Sequence, residues 1–197
     1  MKNVAVLVSG GGTNLQAILD SERRGENPNG KVTLVVASKP GVYALTRAEN
    51  AGVKTAVVSR KEYADSAAFD AALLAVLREN AIDVVVLAGF LSVLGPNVIA
   101  AYPNRILNVH PSLIPSFCGP GFYGLRVHEA ALARGVKVTG ATVHFVNEEC
   151  DGGPILLQKA VAVQPDDTPE TLQKRVMVEA EWQLLPRALA MVCNDEV

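Results

Sequence analysis

Residues 1–19 read MKNVAVLVSGGGTNLQAIL. Within them Val4–Val8 is a short, unbroken apolar run rich in valine, and three glycines end it. A continuous β-branched run of this length reads as a strand covered on both faces. Leu15, Ile18 and Leu19 then fall on one face of a helix. Strand, glycine loop, helix is one α/β unit, and the pattern recurs along the chain. Val32–Ala37, Thr55–Val58, Val84–Ala88, Ile106–Val109, Val138–Phe145 and Ile155–Val163 read as six further strands. Phe69, Leu73, Val76 and Leu77 share a face in a longer helix ending near Asn80, and Gly52 and Gly135 sit where helix-ending glycines belong. This alternation predicts an α/β fold: a mostly parallel twisted sheet of about seven strands with helices on both faces. The last two strands are joined only by Val146–Pro154, too short for a helical crossover, so an antiparallel strand is expected near the C-terminal part. Thr168 as cap and Pro169 in the first turn start the last helix. That helix runs toward Leu185, where Pro186 is expected to end or kink it.

The bulk properties narrow the function classes. A chain of 197 residues with 49% hydrophobic and 19% charged residues suits one globular domain, 1–197. A net charge of −2 argues against a surface built to coat nucleic acid. No apolar run reaches the roughly 18 residues of a spanning helix, so no membrane partner is expected. The opening run is too short for a signal peptide. Cys118, Cys150 and Cys193 are odd in number and far apart, and fit neither a disulfide framework nor a metal site. No metal and a cytoplasmic location are therefore expected.

Ligands of open α/β sheets bind beyond the carboxyl ends of the strands, which points to the loops after Val8, Ala88, Val109 and Phe145. In the first, Ser9-Gly10-Gly11-Gly12-Thr13-Asn14, glycines admit a ligand close to the backbone and a helix N-terminus offers free N–H groups. Phosphate is the natural guest; the plainer alternative is a tight turn capped by Thr13 or Asn14. In the second, Asn108 and His110 are two apart on a strand, so both side chains face one way, and Pro111 stops the strand. An amide suits a developing oxyanion and an imidazole suits proton transfer; the alternative is a buried pair that merely ends the strand. In the third, Asp151-Gly152-Gly153-Pro154, a sharp turn can aim a carboxylate at His110 and favour its protonated form, although an Asp before two glycines is also an ordinary turn. The fourth, Leu87–Leu94, is apolar and suits either a flat aromatic ligand or core packing. His128 and His144 stand alone, and His144, inside a strand, reads as core. Cys118 has no evident activating partner.

Together the segments SGGGTNLQAIL, DVVVLAGFLSVL, RILNVHPSLIPSF, GFYGLRVHEAALARGVKVTGATVHFV and DGGPILLQKAV, in this order, resemble the glycinamide ribonucleotide formyltransferase family of purine biosynthesis. The resemblance implies a Rossmann-like, phosphate-binding half, 1–100, and a catalytic, folate-binding half, 101–197. It implies formyl transfer from 10-formyltetrahydrofolate, as co-substrate, to the amine of 5'-phosphoribosylglycinamide, both small-molecule partners, in a monomer or homodimer. Gly12, Thr13 and Asn14 match the substrate-phosphate residues. Asn108, His110 and Asp151 match the catalytic trio. Leu91, Ser92, Val93 and Leu94, with Asn147, Glu148, Glu149 and Cys150, match folate loops. Glu181 matches a substrate contact, and Ile114–Pro115 a cis bond. The sequence departs from the family at Ser66, aligned near an arginine, at Trp182, where a histidine usually follows the glutamate, and at Pro120. Val176–Glu181 is one residue longer than in some relatives.

Four other readings compete. A methionyl-tRNA formyltransferase is expected to add a C-terminal domain and a basic surface, and a formyltetrahydrofolate hydrolase an N-terminal regulatory domain; neither addition is expected here. A sugar-nucleotide N-formyltransferase shares the chemistry, but the glycine loop favours a small phosphoribosyl substrate. A non-catalytic nucleotide-binding module on the same fold would lack the trio.

Overall fold

The computed structural model describes residues 1–197. Seven strands form one sheet in the order β3-β2-β1-β4-β5-β6-β7. They are β1 (Lys2–Val8), β2 (Gly30–Ala37), β3 (Lys54–Val57), β4 (Val84–Leu87), β5 (Ile106–His110), β6 (Val138–Phe145) and β7 (Ile155–Ala162). Pairing is parallel from β3 to β5. β6 runs antiparallel to both β5 and β7. The expected antiparallel pair is present. Its neighbour is β5, which the sequence does not reveal, because strand partners far apart in the chain leave no local signal.

Helices cover both faces. They are α1 (Thr13–Arg23), α2 (Tyr43–Asn50), α3 (Ser66–Glu79), α4 (Pro96–Ala101), α5 (Leu125–Arg134), α6 (Pro169–Val176) and α7 (Trp182–Cys193). Side chains alternate along a strand. Val4, Val6 and Val8 of β1 accordingly pack with α1 and α7, and Ala5 and Leu7 with Phe69 and Leu73 of α3 and Val98 of α4. Asp65 caps α3 by accepting from the Ala68 amide at 2.8 Å. Thr168 caps α6 in a reciprocal box with Thr171, and Pro169 occupies the first turn. Gly52 and Gly135 both take the positive φ expected of helix-ending glycines. Ile114–Pro115 is cis. No helix is long and apolar enough to cross a membrane.

Of the two outcomes expected at Pro186, an end to the helix does not occur: the residue lies inside α7. A π turn, Met177–Glu181, joins α6 to α7 and closes at Trp182. Trp182 carries the carbonyl that a helical amide at position 186 would have bonded, and a proline ring crowds that carbonyl. The π turn, an α turn with one residue inserted, lies directly upstream of that carbonyl.

Candidate active site

The strand order reverses direction between β1 and β4, where ligands of open parallel sheets bind. Three loops meet at that edge. Ser9, after β1, accepts a hydrogen bond from the Leu91 amide, after β4, at 2.9 Å, and its hydroxyl lies 2.7 Å from that of Ser38, after β2. The end of β5 supplies Asn108 and His110 beside them.

The glycine loop is built to leave amides free. Gly12 is the N-cap of α1, with φ 75°, and no side chain caps the helix. Neither Thr13 nor Asn14 fills that role, so the plain capped turn is not what forms. The first-turn amides of α1 have no intrahelical partner, and the amides of Gly10 to Gly12 donate to no backbone carbonyl. A Cβ on Gly12 would lie 2.7 Å from that of Ala44, so only glycine lets the loop pack this closely on α2. A cluster of such N–H groups at a helix N-terminus is an anion cradle. Asn14 turns away from solvent, and its Nδ2 donates to Glu181 Oε2 at 2.8 Å. Glu181, 6% exposed, thus reaches the loop from the π turn. Burial pushes its carboxyl above the ordinary value, against the Asn14 hydrogen bond.

Asn108, His110 and Asp151 converge. Asp151 Oδ2 accepts from the Gly119 amide at 2.9 Å and lies 3.6 Å from His110 Nδ1. Asp151 Oδ1 lies 3.5 Å from Asn108 Nδ2 and 3.6 Å from His144 Nε2. Burial would raise the Asp151 carboxyl, but His144, the Gly119 amide and His110 together hold it below the ordinary value. It is therefore a carboxylate at neutral pH. His110 Nε2 donates to the Phe117 carbonyl at 2.7 Å, since a carbonyl only accepts. A second proton on Nδ1 then faces Asp151. The loop that carries Phe117 is held in turn by Thr142, whose hydroxyl donates to the Ser112 carbonyl at 2.7 Å and accepts from the Ile114 amide at 3.1 Å.

His144 was expected to be core, and it is 2% exposed, yet it belongs to the site. It lies directly across the ladder from Asn108. Its Nδ1 donates to the Phe145 carbonyl at 2.9 Å, so in the neutral ring Nε2 accepts from Asn108 Nδ2 at 3.1 Å. That bond fixes the amide with its nitrogen toward Asp151. The contact of the second amide hydrogen to Asp151 Oδ1 is long, at 3.5 Å, so a ligand oxygen can compete for it. Only the β5–β6 pairing could have revealed this role.

The remaining candidates divide. Leu91 is 65% and Val93 88% exposed, an uncovered apolar surface beside the site. Ser92 is half-buried, whereas Leu94 turns into the core against α3 and α4. Asn147, Glu148, Glu149 and Cys150 are exposed in the turn leading to Asp151, which has a φ of 55°. Burial and the Asp151 charge push the thiols of Cys118 and Cys150 up, so neither is a ready nucleophile at neutral pH. His128 is buried on α5, where desolvation and His110 push it down to about 4, so it carries no proton to give at neutral pH. No group of three or more His, Cys, Asp or Glu side chains is arranged to hold a metal ion.

A model of the formyl transferase family matches residues 2–189. The chain is similar to the trifunctional purine biosynthetic protein adenosine-3 of Homo sapiens, with 45% identity over 194 residues. That match covers 98% of this chain and 18% of the human protein, so the chain spans about a fifth of the length of that relative. It is 40% identical over 186 residues to the phosphoribosylglycinamide formyltransferase of Haemophilus influenzae, covering 94% of this chain and 84% of that one. Among solved structures, glycinamide ribonucleotide transformylase 1 from Symbiobacterium toebii superposes with a TM-score of 0.92 at 44% identity, covering 99% of this chain and 89% of that one.

Proposed function

The chain belongs to the formyl transferase family, and from that premise we propose that it transfers a formyl group from 10-formyltetrahydrofolate to the amine of 5'-phosphoribosylglycinamide. The observation that carries the reading is the Asp151 carboxylate standing between His110 and His144, with the Asn108 amide beside them and an anion cradle on the neighbouring loop.

Each residue has a task. The free amides of Gly12, Thr13 and Asn14 bind the acceptor phosphate. Glu181, tied to Asn14, faces the acceptor from the opposite helix. Leu91 and Val93 offer apolar surface to the flat ring system of the donor, and the turn 147–150 borders its other side. This donor set, apolar surface next to hydrogen-bonding groups, fits a pterin-like ring and requires no metal. Asn108 Nδ2 donates its second hydrogen to the oxygen that becomes negative as an amine adds to the formyl carbon. Protonated His110 stabilises the same charge, gives its proton to the departing nitrogen as the donor C–N bond breaks, and recovers one from the added amine, directly or through water. Asp151 orients the imidazole and balances its charge. His144 sets the Asn108 amide.

Thermal shift provides the test. The folate donor is expected to raise Tm most when the ribonucleotide is also present, as mass action requires of two ligands sharing one site. Stabilisation by NAD or ATP alone, with none from either substrate, would overturn formyl transfer in favour of a nucleotide-binding module.

A further inference from the structure

We infer that Arg47, on α2, is a positioning residue for the acceptor's phosphate; the inference rests on the function proposed above. An amide cradle binds an anion only if its N–H groups point outward together, which requires the alternate carbonyls to be held the other way. Here every carbonyl of the glycine triplet has a partner. Gly10 O accepts from the Ala44 amide at 3.2 Å, Gly12 O from the Gln16 amide at 2.9 Å, and Gly11 O from Arg47 Nε at 2.8 Å. The Arg47 bond is the only side-chain bond among the three, and it holds the middle of the loop. Gly10 and Gly11 have nothing within 4 Å of where a Cβ would stand, so no packing fixes them otherwise.

The guanidinium is itself held in place. Its Nη1 donates to Gln16 Oε1 at 3.1 Å, and Gln16 donates in turn to Asp20 Oδ1 at 2.9 Å. Its Cζ stands 4.8 Å from the centroid of the Tyr43 ring. All the groups that hold it, a carbonyl, an amide oxygen and an aromatic ring, are neutral. No carboxylate lies within 4 Å of it, unlike Arg23, Arg24, Arg105 and Arg175. A half-buried arginine with an unbalanced charge, bonded to the loop that cradles an anion, adds attraction for a phosphate monoester dianion as well as shape. The residue acts through the loop and its field, and it takes no part in the formyl chemistry.

Steady-state kinetics on Arg47→Met and Arg47→Lys decide the matter. Methionine keeps the aliphatic stem over Tyr43 and removes both the bond to Gly11 and the charge. It is expected to raise KM for the ribonucleotide about tenfold or more, with kcat and the KM of the folate donor within about twofold of wild type. Lysine keeps a cation and one donor and should recover part of the loss. The dephosphorylated acceptor should be used equally well by wild type and both variants. An unchanged ribonucleotide KM in the methionine variant would overturn the inference. So would a matching loss in both KM values and kcat with a lowered Tm, which marks a merely structural role. A wild-type protein that transfers no formyl group refutes the function instead. Titration with inorganic phosphate then still judges Arg47, because weaker binding to the methionine variant than to wild type is expected and equal binding is contrary.

Discussion

Replacing Asn108 or His110 with alanine is expected to lower kcat by at least about a hundredfold while the protein remains folded, since losing one oxyanion donor costs about 3–4 kcal/mol in comparable sites. For Asn108 the loss follows from the amide hydrogen whose protein acceptor, Asp151 Oδ1, stands 3.5 Å away and yields to a ligand oxygen. For His110 it follows from an imidazole held at Nε2 by the Phe117 carbonyl, with Nδ1, 3.6 Å from Asp151, left open to the site. Both positions lie at the carboxyl end of β5, whose ladder to β4 and β6 is made by backbone groups that survive the substitutions. The two losses should not add fully in the double variant, because both groups act on one developing charge. Single-turnover rates of the variants give the measurement. Near-wild-type rates in both would remove the oxyanion from the mechanism.

Asp151→Asn should cost about a hundredfold in kcat and also change the shape of the pH–rate profile. Asparagine keeps an oxygen for the Gly119 amide, so the loop stays in place and the charge alone is lost. The sign follows from the carboxylate. In wild type it is held below its ordinary value of 3.8 and stays ionised across the working range. Asparagine has no proton to gain, so the acidic limb that wild type owes to protonation of this carboxylate, below 3.8, moves in the variant. An unmoved limb with an intact fold would deny Asp151 its role as counter-charge. His128 should leave no mark on either profile near neutrality, because at about 4 its titration lies well below that range.

The legible part of the fold is the part written in local pattern. Val4–Val8, Val32–Ala37 and Val84–Ala88 announce themselves because burial on both faces favours continuous, β-branched-rich runs. Thr168 and Pro169 mark a helix start because the cap chemistry is local. Asn108 and His110 are legible as a pair because strand geometry puts residues two apart on one face. What was not legible depends on distance along the chain. His144 enters the site through its pairing with Asn108, 36 residues away, and alone it looks like any buried histidine. Asp151 reaches His110 only because β6 and β7 bring its turn back to the end of β5. Leu94 is core although Leu91 and Val93 are exposed, a difference set by α3 and α4 rather than by the apolar run itself. Pro186 lies inside α7, downstream of the π turn 177–181, and a proline rule applied to position 186 alone does not show that the helix continues.

Formyl transfer itself is tested most directly by mixing the purified chain with glycinamide ribonucleotide and 10-formyltetrahydrofolate and following both products. Tetrahydrofolate should appear in step with formylated ribonucleotide, only when both substrates are present, and at a rate that falls at least about a hundredfold in Asn108→Ala. Well-folded protein that releases no tetrahydrofolate above the uncatalysed background, or that releases it without formylating the amine, would contradict the assignment.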